Sequence, residues 1–204
     1  MTFAALLAFN LTLLAAIASP GPSLLFLSRT AMVQGRRAGV AAALGLGLMA
    51  AIWTAAALLG LNALFAVVPW AYTALKIAGA LYLIWLAVQT WRTAKSPVGA
   101  EPVRRDGRIF LNAMLVNLAN PKSVLFAGAV LIVIFPPQLA STDKALIFIN
   151  HLAVEWIVQP ALAVALSSPG VRRRYLAAKA GLDRSAAVLL GGLGLRLLLD
   201  PGPK

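Results

Sequence analysis

Charged side chains that could do chemistry are few in this sequence, and one carboxylate lies inside an apolar segment. Six of the 204 residues are Asp or Glu, and His151 is the single histidine. Glu155 follows four residues later, which places both side chains on the same face of a helix. If this segment crosses a membrane, a carboxylate there costs about 2.5 to 3.5 kcal/mol and must face protein, water or a cation. Glu155 could couple a proton, bind a substrate ammonium group, or form a structural ion pair with Lys122 or His151.

Two proline-containing breaks interrupt apolar segments at corresponding places in the two halves of the chain. Pro20-Gly21-Pro22 lies in the first segment and Asn120-Pro121-Lys122 in the fourth. Proline lacks an amide donor and biases the preceding residue away from helical geometry. In lipid, such backbone is tolerated only where protein or a water-filled cavity satisfies it. The paired breaks predict a midplane substrate site at which two half-helices present free amides to a carboxylate, although simple proline kinks are the structural alternative.

Lys122 directly follows the second break. Its ammonium group could enter the unwound region and attract a substrate carboxylate or pair with Glu155, or it could snorkel to the membrane interface. We predict no catalytic residue, no metal ligand and no cofactor. The predicted substrate-binding and translocation residues are Pro20, Gly21, Pro22, Asn120, Pro121, Lys122, His151 and Glu155.

The composition indicates what kind of protein must position these residues. Hydrophobic residues make up 61% of the chain and charged residues 12%, whereas soluble domains carry about 25% charged residues. The mean hydropathy is +0.86. At about 20 residues per bilayer crossing, the length allows six spans and no separate soluble domain. We therefore predict an all-α membrane protein with six transmembrane helices in one domain, 1–204.

Apolar runs, prolines and tryptophans define the predicted spans. These cover about 1–28, 38–68, 70–91, 109–135, 145–166 and 186–199, and Ser168-Pro169-Gly170 is expected to close the fifth. The hydrophilic connector 93–108 separates two repeats, about 1–92 and 109–200. Three spans in each repeat would give the repeats opposite orientations in the membrane. Small residues recur at every fourth position of span two and predict a ridge for close helix packing: Gly39, Ala43, Gly47, Ala51 and Ala55.

The basic residues indicate orientation. Thirteen of the eighteen Lys and Arg residues lie in three connectors, within 29–37, 92–108 and 172–184. This pattern is typical of cytoplasmic loops, so we expect an inner membrane of bacterial type, with both termini outside. The net charge of +12 does not indicate a nucleic-acid partner, because the basic residues are interspersed between apolar runs.

The two breaks and their surroundings resemble the lysine exporter superfamily (LysE/RhtB), in its branch of homoserine and threonine exporters. The resemblance spans almost the whole chain. The residues that carry it are Ser19-Pro20-Gly21-Pro22, Arg36, Gly39, Gly47, the run from Asn117 to Lys122, Phe126, Pro137-Gln138, Asp183-Arg184 and the run from Gly192 to Leu197. It implies a secondary exporter of amino acids or related metabolites in the plasma membrane, driven by the proton gradient.

One departure from the basic-amino-acid branch of that superfamily indicates the substrate. That branch carries an aspartate where this chain has Ala50, so the resemblance implies a neutral substrate such as threonine, homoserine or leucine. The alternatives are a cation or heavy-metal exporter of the same superfamily, an integral membrane enzyme, and a passive channel. With no cysteine and one histidine, soft-metal coordination is poorly supported. The oligomeric state stays open, a homodimer included.

Overall fold

The computed structural model describes residues 1–18, 21–67, 70–95, 108–136 and 138–199. Within these ranges every regular element is a helix, and the prediction of an all-α protein is confirmed. The helices are α1 (Phe3–Ala18), α2 (Pro22–Val33), α3 (Arg36–Val67), α4 (Trp70–Thr93), α5 (Ile109–Leu118), α6 (Pro121–Ile134), α7 (Ser141–Leu166) and α8 (Pro169–Leu199).

Both predicted breaks are present. The first separates α1 from α2, and the second separates α5 from α6. The two members of each pair are bent by 61° and 70°, respectively. Pro22 and Pro121 each begin the second helix of their pair. A backbone amide at this position would have no acceptor within the helix, so proline costs no helical hydrogen bond there. Pro20 lies outside the described residues.

Length and apolar character identify the membrane-crossing candidates among the described residues. Helices α3 and α7 each pass alone, and the pairs α1–α2 and α5–α6 pass when each pair counts as one span. The structure therefore supports two to four spans. The arrangement of six spans in two inverted repeats, with α4 and α8 as spans three and six, stays a prediction.

The end of the chain differs from the prediction in its helix boundaries. Residues 172–184 were expected to form a connector before a short span at 186–199, yet α8 is one 31-residue helix from Pro169 to Leu199. The polar residues of this region are accommodated within the helix, because Lys179 and Asp183 lie one turn apart and pair at 2.7 Å. Lys179 also donates to the Ala94 carbonyl beyond α4, at 3.2 Å. Pro169 begins α8, and only Ser167 and Ser168 separate it from α7.

The small-residue ridge of α3 lies against α7 and α2, as predicted for close packing. A Cβ atom added at Gly47 would lie 2.9 Å from the Glu155 Cβ, and one at Gly39 would lie 2.7 Å from the Ala31 Cβ. Neither position can accept a side chain without displacing its neighbour. Helices α3 and α7 form one of the two most extensive helix pairs, and α4 and α8 form the other. Gly47 therefore determines how closely the segment that carries Glu155 approaches α3.

Gly45, on the same helix, gives a direct test of this packing. Its added Cβ would lie 2.3 Å from the Phe110 carbonyl oxygen of α5, whereas an added Cβ at Gly60 meets no atom of the described residues within 4 Å. We expect Gly45→Ala to destabilise the protein by about 1 to 3 kcal/mol through overpacking. The matched change Gly60→Ala should be neutral or stabilising by up to about 1 kcal/mol. Thermal unfolding of the purified proteins, followed by tryptophan fluorescence, measures both. Equal melting temperatures would contradict the close packing of Gly45 against α5.

Candidate functional site

A cavity lies where the two helix breaks meet. It has a volume of about 70 Å³. Five of the eight predicted site residues line it: Gly21, Asn120, Lys122, His151 and Glu155. Pro22 is exposed at the start of α2, and Pro121 begins α6. The structure thus brings the two breaks and the carboxylate of α7 around one space.

The first break exposes a carbonyl group that Lys122 reaches. In a continuous helix the Ala16 carbonyl would accept from the amide of residue 20, but that residue is proline and has no N–H. The Lys122 ammonium donates to the Ala16 oxygen instead, at 3.2 Å. The same side chain lies along Gly21, where an added Cβ would be 3.5 Å from the Lys122 Cδ. Lys122 therefore crosses from the second break to the first.

The second break is closed by Asn120, which caps α6. Its Oδ1 accepts from the Lys122 amide at 3.1 Å, and its carbonyl accepts from the Ser123 amide at 3.0 Å. The expectation that both half-helices present free amides is therefore wrong for α6, whose first amides are bonded locally. At α2, the capping residue Gly21 supplies no side-chain bond. The start of α2 is thus the better-placed source of free amides.

A hydroxyl group joins the two breaks. The Ser23 Oγ, in the first turn of α2, accepts from the Asn120 Nδ2 at 3.0 Å and from the Asn117 Nδ2 at 3.4 Å. Ser23 and Asn117 both line the cavity. These bonds fix α2 relative to the end of α5.

The Glu155 carboxylate is held by its own helix and by α3. Its side chain is 4% exposed, and the His151 Nε2 lies 3.3 Å from its Oε1. Gln159, one turn further along α7, donates to the other carboxylate oxygen. The His151 Nδ1 lies 2.7 Å from the Thr54 Oγ1 of α3. When Thr54 donates to Nδ1, a neutral His151 can donate its Nε2–H to Glu155. The carboxylate then has two hydrogen-bond donors without a second formal charge beside it.

The remainder of the cavity wall is mainly apolar, and this favours a small ligand with few polar groups. Ala50 also lies in the wall. This is the residue that the sequence resemblance contrasts with an aspartate. The apolar side chains that line the cavity are Leu13, Ala16, Ile17, Leu24, Leu27, Ala50, Phe126 and Ala127.

Comparison with known proteins identifies the family. The sequence profile of the LysE type translocators matches residues 14–201, which include both breaks and all the cavity-lining residues beyond Leu13. The chain belongs to the LysE type translocator family. The translocators of this family are membrane transporters, and the apolar helices of the chain agree with a multi-pass protein of the inner membrane.

Named relatives cover most of this translocator. It is 32% identical over 195 residues to the threonine efflux protein of Escherichia coli strain K12, covering 91% of this chain and 93% of that one. It is 35% identical over 170 residues to the homoserine/homoserine lactone efflux protein of Salmonella typhimurium, covering 80% and 81%. It is 29% identical over 178 residues to the leucine efflux protein of Klebsiella pneumoniae, covering 84% and 82%. No solved structure matches.

Five polar residues of the translocator site were not among those predicted from the sequence: Ser23, Thr54, Asn117, Ser123 and Gln159. Gln159 could have been found, because it lies four residues after Glu155 on the same helical face. Asn117 lies one turn before Asn120 and could have been found in the same way. The sequence offers no comparable signal for Thr54, which reaches His151 from another helix.

Proposed function

We propose that this translocator exports neutral amino acids, with threonine, homoserine and leucine as candidate substrates. One observation carries the proposal: an ammonium group, Lys122, and a carboxylate, Glu155, line the same small apolar cavity. An amino acid is a zwitterion whose ammonium and carboxylate groups are both attached to Cα, and these groups complement the charges of Glu155 and Lys122. The efflux activities in the names of the relatives support the same substrate class.

The substrate carboxylate would bind at the first break. Lys122 supplies a positive charge there, and the uncapped start of α2 adds the positive end of a helix dipole. The substrate ammonium would bind Glu155, which His151 and Gln159 hold in place. The apolar wall would accommodate the side chain, and Ala50 offers no partner for a second ammonium group. This is why a neutral substrate is favoured.

Proton coupling would follow from a carboxylate that binds either an ammonium group or a proton, but not both. Glu155 protonated from outside would release the substrate, and its deprotonation towards the cytoplasm would restore the binding site. Rocking of the two repeats would expose the cavity alternately. In this scheme the Lys and Arg residues within 29–37, 92–108 and 172–184 would lie on the cytoplasmic side, and the termini would lie outside.

Inside-out membrane vesicles give the test of export. With an acidified interior, wild-type protein should accumulate labelled threonine, homoserine or leucine against its gradient, and an uncoupler should abolish the accumulation. We expect Ala50→Asp to add lysine transport, about tenfold or more above wild type, because it supplies a buried partner for the second ammonium group. Equilibration without accumulation would indicate a channel. If wild type exported only lysine and arginine, the argument from Ala50 would be wrong.

The remaining alternatives have less support in the site. In the part of the chain that the structure describes, no three His, Cys, Asp or Glu side chains come together in a group that could hold a metal ion. Transport of a panel of divalent cations in the same vesicles would test a metal exporter directly.

A further inference from the structure

Asn117 lines the cavity and has one side-chain polar atom that no described residue satisfies. The side chain is 2% exposed, and its Oδ1 has no hydrogen-bond partner among the described residues. Asn117 lies in the last turn of α5 and lines the same cavity as Lys122 and Glu155. Buried polar atoms in proteins are nearly always paired, so an unpaired one beside a binding cavity requires an explanation.

The other end of the same carboxamide is anchored. Its Nδ2 donates to the Ser23 Oγ at 3.4 Å, and Ser23 also accepts from the Asn120 Nδ2 at 3.0 Å. These bonds orient the amide plane, since Ser23 belongs to α2 and Asn120 to the cap of α6. Oδ1 is therefore an acceptor without a partner among the described residues, on a side chain that lines the cavity.

The charges around the cavity indicate which donor this would be. Glu155, a full negative charge, is the stronger acceptor for a substrate ammonium group, and Lys122 attracts the carboxylate. The donor that is left on a hydroxylated amino acid is its side-chain hydroxyl group. A neutral carboxamide oxygen suits a neutral donor.

We propose that Asn117 determines specificity by accepting a hydrogen bond from the side-chain hydroxyl of a hydroxy amino acid. This inference rests on the proposed export of amino acids and narrows its substrate class. Valine has the shape of threonine with a methyl group in place of the hydroxyl. When valine binds, Oδ1 stays unpaired, and a site built around a hydroxyl discriminates strongly against such an analogue.

The experiment compares threonine with valine in inside-out vesicles of wild type, Asn117→Leu and Asn112→Leu. Leucine is close to asparagine in size, so Asn117→Leu removes the acceptor without opening a large cavity. Asn112 is on the same helix and does not line the cavity described above, which makes it the matched control. Wild type should transport threonine about tenfold faster than valine. Asn117→Leu should bring that ratio to about one, and Asn112→Leu should leave it unchanged.

Two outcomes would overturn the proposal. One is an equal loss of threonine and valine transport in Asn117→Leu, which would indicate packing or ammonium binding. The other is a wild-type protein that transports both amino acids equally well. If wild type transports none of threonine, valine, homoserine and leucine, the proposed function fails as a whole, and this result is distinct from an unselective exporter. Export of leucine without threonine would overturn the role of Asn117 alone.

A second measurement needs no variant. In purified wild-type protein, threonine should raise the melting temperature more than valine at the same concentration, because the better ligand stabilises the folded state more. Equal shifts would also contradict a hydroxyl-binding role.

Discussion

Glu155→Gln should lose proton-driven accumulation of substrate while the protein still inserts and folds. Glutamine keeps the shape of the side chain, and its Oε1 can still accept one of the two hydrogen bonds, from His151 or Gln159, so the packing of α7 against α3 is retained. It cannot carry the negative charge that binds an ammonium group or exchanges a proton. Removing one partner of a buried charge pair costs about 2 to 5 kcal/mol, which corresponds to about 30-fold or more in transport.

Two assays separate the roles of this carboxylate. Uphill uptake into inside-out vesicles measures proton coupling, and exchange of labelled for unlabelled substrate measures binding and translocation alone. Loss of uphill uptake with retained exchange would indicate that Glu155 carries the coupled proton. Loss of both would indicate that Glu155 binds the substrate ammonium group. Asp143→Asn is the matched control, because Asp143 lies in the first turn of the same helix and pairs with the Met1 amino group, at 3.2 Å. Wild-type rates in Glu155→Gln would make the residue a packing element.

The second large effect is expected at Lys122. Lys122→Met keeps an unbranched side chain but removes the ammonium group, and with it the partner of the Ala16 carbonyl and the proposed ligand of the substrate carboxylate. We expect transport to fall about 30-fold or more, since a buried charged contact to the substrate is lost. The apparent affinity for the substrate should fall as well. Both follow from concentration-dependent uptake in vesicles with matched protein amounts.

The control for this change is Lys144→Met, near the start of α7 and away from the cavity-lining residues. If Lys122→Met and Lys144→Met both transport at the wild-type rate, Lys122 is not a substrate ligand. The proposal that the substrate binds in the cavity between Lys122 and Glu155 would then have to be abandoned. If Lys122→Met shows a lower melting temperature as well as slow transport, Lys122→Arg distinguishes the two causes, because arginine restores the charge and a donor for Ala16.

The helix breaks could be predicted because their causes are local. A proline removes its own amide and restricts its neighbour, so Pro22 and Pro121 indicate where α2 and α6 begin without knowledge of the rest of the fold. The face shared by His151 and Glu155 was predictable for the same reason, since helical periodicity relates residues four apart. The hydrogen bond between them is therefore a local consequence of the sequence.

Contacts between distant segments could not be predicted in this way. No local pattern relates Thr54 to His151, or Ser23 to Asn120, because these pairs depend on how whole helices pack. The continuity of α8 through residues 172–184 was not predicted, for a related reason. Its basic residues resemble a loop when charge is counted along the chain, but Lys179 bonds to Asp183 and to the carbonyl of Ala94, and this contact with the end of α4 exists only in three dimensions.

The bond between Lys122 and the Ala16 carbonyl would affect how fast the transporter reorients when no substrate is bound. A carrier that releases its cargo must reorient without it, and a bare ammonium group in a closed cavity would cost several kcal/mol. The carbonyl left without an amide by Pro20 lowers that cost, because it remains available when the cargo has gone. An arriving carboxylate would compete with this carbonyl for the ammonium group, and the competition would offset part of the attraction. A carrier built in this way would release cargo readily into surroundings where that cargo is already abundant.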